Sequence, residues 1–220
     1  MPDHLAAEPP GYVVVEGPIG VGKTSLARRL AASFGCEILL EAAEENPFLE
    51  RFYNDPRQAA LPAQLFFLFQ RSRQISSLKQ GDLFRDALVA DFMLEKDRLF
   101  ARLNLDADEL NLYEEVYARV SLEAPAPDLV VYLQAPVDVL IKRIRRRGRK
   151  IERRLEPSYL ERLSEAYVGF FGRYQASPLL IVNATTINPV DSDADYAMLL
   201  EQIVTHRSGR HHVNPEPLEF

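Results

Sequence analysis

Gly17-Pro18-Ile19-Gly20-Val21-Gly22-Lys23-Thr24-Ser25 fits the pattern G-x-x-x-x-G-K-[ST]. The apolar, β-branched run at 12–16 precedes it, and Leu26, Leu30 and Phe34 follow it on one helical face. The stretch is therefore the turn between a buried strand and a helix beginning at Gly22. Its glycines let the backbone wrap closely, so that several N–H groups and a helix N-terminus point at phosphate oxygens. In such a P-loop Lys23 reaches the β- and γ-phosphates and the Thr24 hydroxyl holds Mg²⁺. The glycine spacing is wrong for the dinucleotide fingerprint G-x-G-x-x-G, which argues against a dehydrogenase.

Outward from the loop, short apolar runs recur at 36–40, 87–90, 129–133 and 179–182. They alternate with helical patterns. Pro62 suits the first turn of a helix over 63–79. Leu110, Tyr113, Val116, Tyr117 and Val120 form a stripe. Leu140, Ile141 and Ile144 lead a helix that stops at Gly148, and Pro157 opens another carrying Leu160, Leu163, Tyr167, Phe170 and Tyr174. This alternation predicts an α/β chain of the P-loop NTPase fold, with a five-stranded parallel sheet flanked by helices. At 220 residues it reads as a single domain, with a core over about 11–205 and loose tails before Pro10 and after about Ser208.

The formal net charge of −6 argues against nucleic acid and anionic membranes as partners. The single cysteine, Cys36, has no internal partner and suits a reducing compartment. No apolar run approaches the 18 or so residues of a membrane span, and Met1-Pro2-Asp3-His4 lacks the marks of a signal peptide, so a cytoplasmic protein is expected.

Open α/β sheets bind ligands at the carboxyl ends of their strands. There the second strand delivers Glu41 and the third Asp91, two carboxylates converging on the γ-phosphate region, one suited to an acceptor hydroxyl and one to a metal. The segment 142–154 carries nine of the chain's 26 basic residues. Its arginines Arg143, Arg145, Arg146, Arg147 and Arg149 straddle Gly148, as an arginine-rich lid over a transferring phosphoryl group would. Gln64 and Arg71, seven residues apart, return to one helical face among apolar neighbours, a pattern suited to reading the edge of a base.

On these residues the sequence resembles the deoxynucleoside kinases, from about Tyr12 to about Ile203. The P-loop, the run Glu41-Ala42-Ala43-Glu44-Glu45-Asn46-Pro47-Phe48-Leu49 with Phe52-Tyr53, Gln64 with Arg71, and the lid with Glu152 carry the likeness. The resemblance implies transfer of the ATP γ-phosphate to a deoxynucleoside 5′-hydroxyl, in nucleotide salvage. It implies that Glu41 accepts the hydroxyl proton, and that Gln64, Arg71 and Asp97 hold the base. Tyr53 and Glu152 would hold the sugar 3′-hydroxyl, Thr24 and Asp91 Mg²⁺, and Arg145, Arg147 and Arg149 the phosphates. A homodimer packed through helices is also implied.

Two positions depart from the family pattern. Phe92 follows Asp91 where many members have arginine, so that Lys96 or a lid arginine is expected to substitute, and Ala42 follows Glu41 where proline is common. The alternatives are a nucleoside monophosphate kinase of the thymidylate kinase kind and a nucleotide-binding regulatory module without phosphotransfer. The absence of an Asn-Lys-x-Asp signature argues against a GTPase. His4, His206, His211 and His212 lack metal-ligand context.

Overall fold

A computed structural model describes residues 9–80, 87–120, 124–152, 154–185 and 187–213. Strands β1 (Tyr12–Glu16), β2 (Glu37–Leu39), β3 (Leu88–Ala90), β4 (Leu129–Gln134), β5 (Leu179–Asn183) and β6 (Arg210–Val213) form one sheet. Their order is β2-β3-β1-β4-β5-β6, and every adjacent pair is parallel. The helices are α1 (Lys23–Phe34), α2 (Leu49–Asn54), α3 (Pro56–Gln80), α4 (Lys96–Asn104), α5 (Ala107–Val120), α6 (Val137–Arg147), α7 (Pro157–Arg173) and α8 (Asp193–Thr205).

The central strands are apolar throughout because both faces of the sheet are covered. Along β1, Val13 and Val15 enter a core shared with Leu26 and Leu30 of α1 and Leu199 and Ile203 of α8. Val14 points the other way, among Leu99 of α4 and Leu160, Leu163 and Tyr167 of α7. Each fully buried leucine here contributes about 2 kcal/mol of transfer free energy. A stack of Tyr132 on Phe171, with ring centroids 4.2 Å apart, fills the second core. Strand order reverses at β1, which places the P-loop at the switch point where such sheets bind ligands.

The sheet has six strands rather than the expected five. The sixth lies in the stretch read as a tail, where β6 pairs Arg210 with Leu179 and Val213 with Val182. Only Val213 of β6 is buried, so this edge strand carries no apolar alternation to betray it. The second revision concerns Pro62, which lies inside α3, while Pro56 occupies the first helical position. A missing N–H costs nothing at Pro56. At Pro62 it leaves the Gln58 carbonyl without its helical donor, and Gln58 lies on an exposed turn where water can replace it. The expectations for residues 1–8, His4 included, lie outside the described residues.

Candidate active site

The carboxyl edge of β1, β2 and β3 opens into a cavity of about 400 Å³, lined by the P-loop, the end of β2, α2, α3, α4, the end of α6 and α7. Its size falls in the range of small-molecule sites. The P-loop divides its residues. Ile19, Gly20, Lys23 and Thr24 face this cavity. Gly20, Val21, Gly22 and Ser25 line a second one of about 240 Å³, bounded by Arg143, Arg146, Arg147 and Asn188.

Three glycines of the loop, Gly17, Gly20 and Gly22 (φ +110°), have positive φ, and at the first two an added Cβ would also clash. Gly17 has φ +147°, and an added Cβ would lie 2.4 Å from the Leu133 carbonyl oxygen. Gly20 has φ +87°, and a Cβ there would lie 2.6 Å from Ile144 Cγ1 and 3.0 Å from the Leu140 carbonyl oxygen on α6. At Gly22, the N-cap of α1, no side chain caps the helix and no acidic residue occupies its first turn. The leading N–H groups are thus available to an anion. Lys23 folds back on the loop, its Nζ donating to the carbonyls of Gly17 (2.7 Å) and Pro18 (3.2 Å). Burial, and then the charge of Lys96, bring this ammonium down to about 8 against the pull of Glu16, Glu41 and Asp91.

Asp91 joins two of the predicted groups. One oxygen accepts from the Thr24 hydroxyl and the other from the Glu41 backbone N–H at 2.7 Å. Two hard oxygen donors side by side at the mouth of a phosphate cradle suit Mg²⁺, which takes one or two protein ligands and completes its shell with water and substrate phosphate. No group of three or more His, Cys, Asp or Glu able to hold a metal occurs among the described residues, in keeping with so sparse a site.

Glu41 is paired from two sides. Arg71 donates to its Oε1 from Nε (2.9 Å) and from Nη2, while Lys96 Nζ stands 3.4 Å from both carboxylate oxygens. Burial alone would raise this carboxyl, but Arg71 and Lys96 outweigh it and hold it at about 2. Arg71 also donates from Nη1 to Asp97. Asp97 itself is fully buried, and it further accepts from Gln64 Nε2 and from the Tyr113 hydroxyl at 2.8 Å. It is thus placed behind Gln64 and Arg71 rather than on the cavity wall.

The remaining predicted residues divide between cavity and surface. Tyr53 and Glu152 both line the large cavity. Burial, then nearby Tyr159 and Glu152, push the Tyr53 hydroxyl well up, so it stays protonated. Glu152 accepts from Arg147, with contacts of 2.6 Å to each carboxylate oxygen. Arg149 reaches Glu44 at 2.7 Å. The two lid arginines therefore rest on carboxylates at the cavity mouth. Arg145 points elsewhere: it lines a groove on the outer side of α6 with Ile141, Ile144 and Leu160. Arg143 and Arg146, three residues apart, line the smaller cavity with Asn188 instead. Phe92 is buried with Leu68 and Tyr113 and stands away from the site.

Sequence reasoning gave no role to Phe100, Asn104 and Tyr159, which line the slot alongside Phe67, or to Glu16 beneath the P-loop. Tyr159 and Tyr167, eight apart on α7, carried a signal that reads as core. Glu16 carried another, a charge ending a buried strand at the sheet's ligand edge.

Fold and cavity define a class: a P-loop phosphotransferase with a phosphate cradle, a carboxylate at the transfer point and a slot for a flat acceptor. Residues 13–207 match the family profile described as Deoxynucleoside kinase. The chain is 33% identical over 205 residues to the deoxyguanosine kinase of Bacillus subtilis (strain 168), covering 89% of this chain and 95% of that one. It is 29% identical over 205 residues to the deoxyadenosine kinase of Lactobacillus acidophilus, covering 87% and 94%. Among solved structures, the deoxyadenosine kinase from M. mycoides with dCMP and dCDP bound superimposes with a TM-score of 0.78 at 26% identity, covering 88% of this chain and 99% of that one. The chain belongs to the deoxynucleoside kinase family, and its activity is phosphorylation of a deoxynucleoside. The family match favours this over the two alternatives, a monophosphate kinase and a regulatory module without phosphotransfer.

Proposed function

We propose that the chain transfers the γ-phosphate of ATP to the 5′-hydroxyl of a purine deoxynucleoside, with deoxyguanosine preferred. The observation that carries the base preference is the state of Gln64. Its amide nitrogen donates to two oxygens of Asp97, the carbonyl at 3.1 Å and the carboxylate. Both are acceptors, so the amide orientation is fixed. The carbonyl oxygen of Gln64 is left for the ligand. Arg71 spends three of its five N–H donors on Glu41 and Asp97 and keeps two. A slot offering one acceptor beside spare donors fits guanine, whose N1–H and N2–H donate and whose O6 accepts. The relatives named for deoxyguanosine support the same reading.

In this mechanism the nucleoside 5′-oxygen attacks the γ-phosphorus in line. The transition state is loose, so Glu41, ionised at every working pH, orients the hydroxyl and takes its proton late. Tyr53 and Glu152 hold the 3′-hydroxyl. Lys23, the α1 N-terminus, Arg147 and Arg149 neutralise charge on the phosphates. Thr24 and Asp91 would hold Mg²⁺, which supplies further neutralisation there. The smaller cavity, between Arg143 and Asn188, takes the nucleotide base of ATP. Cytoplasmic salvage fits the single cysteine, and no described helix is long and apolar enough to cross a membrane. A homodimer is supported by exposed Phe69 and Leu112 on α3 and α5, and it would show by light scattering as twice the 25.0 kDa chain mass.

Initial rates with ATP, Mg²⁺ and each of the four deoxynucleosides, with deoxyinosine as a fifth acceptor, test the base assignment. Deoxyguanosine is expected to give the highest kcat/KM, and deoxyinosine, which lacks the N2 donors, about a tenfold lower value. A preference for thymidine, or equal use of deoxyinosine, overturns it.

A further inference from the structure

Lys96, one of the residues expected to stand in for the arginine missing after Asp91, has no part in the mechanism proposed above, yet it is an expensive residue to keep. It opens α4, is 2% exposed and lines the large cavity. A buried ammonium loses its hydration, and a cation in the first turn meets the positive end of the helix dipole. Two carboxylates offset these costs: Nζ lies 3.4 Å from Glu16 Oε1 and 3.4 Å from Glu41 Oε1. These contacts lie at the long limit of hydrogen bonding, so packing alone gives no reason for the charge.

The carboxylates differ in how they are held. Glu16 is fixed independently of Lys96, accepting from the N–H groups of Gly17 (3.1 Å) and Met93 (2.9 Å) and from the Tyr167 hydroxyl (3.1 Å). Glu41 is fixed on one side, where Arg71 holds Oε1. Among the described residues its Oε2 has Lys96 alone as a polar side-chain partner, at 3.4 Å. Oε2 therefore keeps the lone pairs available to an acceptor hydroxyl, and the ammonium stands beside it.

We propose that Lys96, anchored on Glu16, is a positioning residue for phosphoryl transfer. It holds the Oε2 side of Glu41 toward the acceptor hydroxyl while Arg71 holds Oε1. This rests on the reading of Glu41 as the group that meets that hydroxyl. Without Lys96 the two carboxylates face one another, and Glu41 turns toward Arg71, away from the reacting oxygen.

The test is a double-mutant cycle of Lys96→Met and Glu41→Gln, read as kcat and KM with deoxyguanosine, alongside thermal midpoints and the affinity for a fluorescent ATP analogue. Lys96→Met is expected to lower kcat by about tenfold to a hundredfold with both KM values within about threefold, and Lys96→Arg to recover part of the loss. In the Glu41→Gln background Lys96→Met should cost less than about threefold, because the group it positions is gone. Because Lys96→Met strips a buried pair of its cation, the double variant Glu16→Gln with Lys96→Met restores the charge balance. Its thermal midpoint should recover while its kcat stays low. A kcat within about twofold of the parent, fully multiplicative losses in the cycle, or recovery of kcat together with stability each overturns the proposal. Glu41→Gln alone separates the two layers. If it retains normal turnover, the underlying reading of Glu41 fails and Lys96 falls with it; if it is inactive while Lys96→Met is normal, the Lys96 proposal alone fails.

Discussion

Glu41 and Gly20 are the two positions where one atom decides the outcome. Glu41→Gln should lower kcat by about a hundredfold or more while leaving ATP binding intact, as single-turnover and titration measurements would separate. The same substitution carries a pH signature in ligand-free protein. The folded carboxyl is held at about 2, below its ordinary 4.5. The ionised group thus adds stability that is fully present above pH 4.5 and is lost as pH falls toward 2. Thermal midpoints of the parent and the glutamine variant should differ at pH 7 and begin to converge below pH 4.5. Gly20→Ala acts by shape. Its methyl would drive into Ile144 with φ at +87°, and about a hundredfold loss of kcat/KM is expected from the displaced cradle.

At the scale of elements, what the sequence revealed and what it hid follow from burial. The four inner strands were legible because both their faces are covered, so the runs are largely apolar, and β2 at the edge was legible from the short apolar run around it. Glu41, Asp91, Gln64 and Arg71 were legible because strand ends and a seven-residue helical interval place them geometrically. Lys96 and Asp97 were named from the family resemblance alone, since nothing in the run Glu95-Lys96-Asp97 itself tells that both are buried against partners far apart in the chain. That Arg145 lies away from both P-loop cavities was not legible, because spacing within α6 gives the interval between residues but not which side of the helix packs against the loop. Pro62 was misread as a helix start because position within a helix is invisible to the proline itself. Pro62→Ala would return a donor to the Gln58 carbonyl, and should stabilise the protein by about 1 kcal/mol, raising Tm by about 2–4 °C in calorimetry.

For the whole molecule, β6 ties the end of the chain to the sheet and to α7. Val213 is buried, and Arg210 Nη2 donates to the carbonyls of Phe171 (2.8 Å), Gly172 (3.2 Å) and Tyr174 (3.3 Å) at the end of α7. Truncation after Ser208 should lower Tm by about 4–8 °C and, by baring the edge of β5, promote aggregation visible by light scattering. A further constraint follows from the seat of Gly20 against Leu140 and Ile144. With no room for even a methyl group between loop and helix, a tilt of α6 toward the loop would displace the cradle. Gly148, with φ +72° and nothing within 4 Å of where a Cβ would sit, is where α6 ends. Arg147 and Arg149, two residues apart, thus lie on opposite sides of that left-handed turn. The first ends α6, and the second, beyond the turn, reaches Glu44 at 2.7 Å and Glu152 at 3.9 Å.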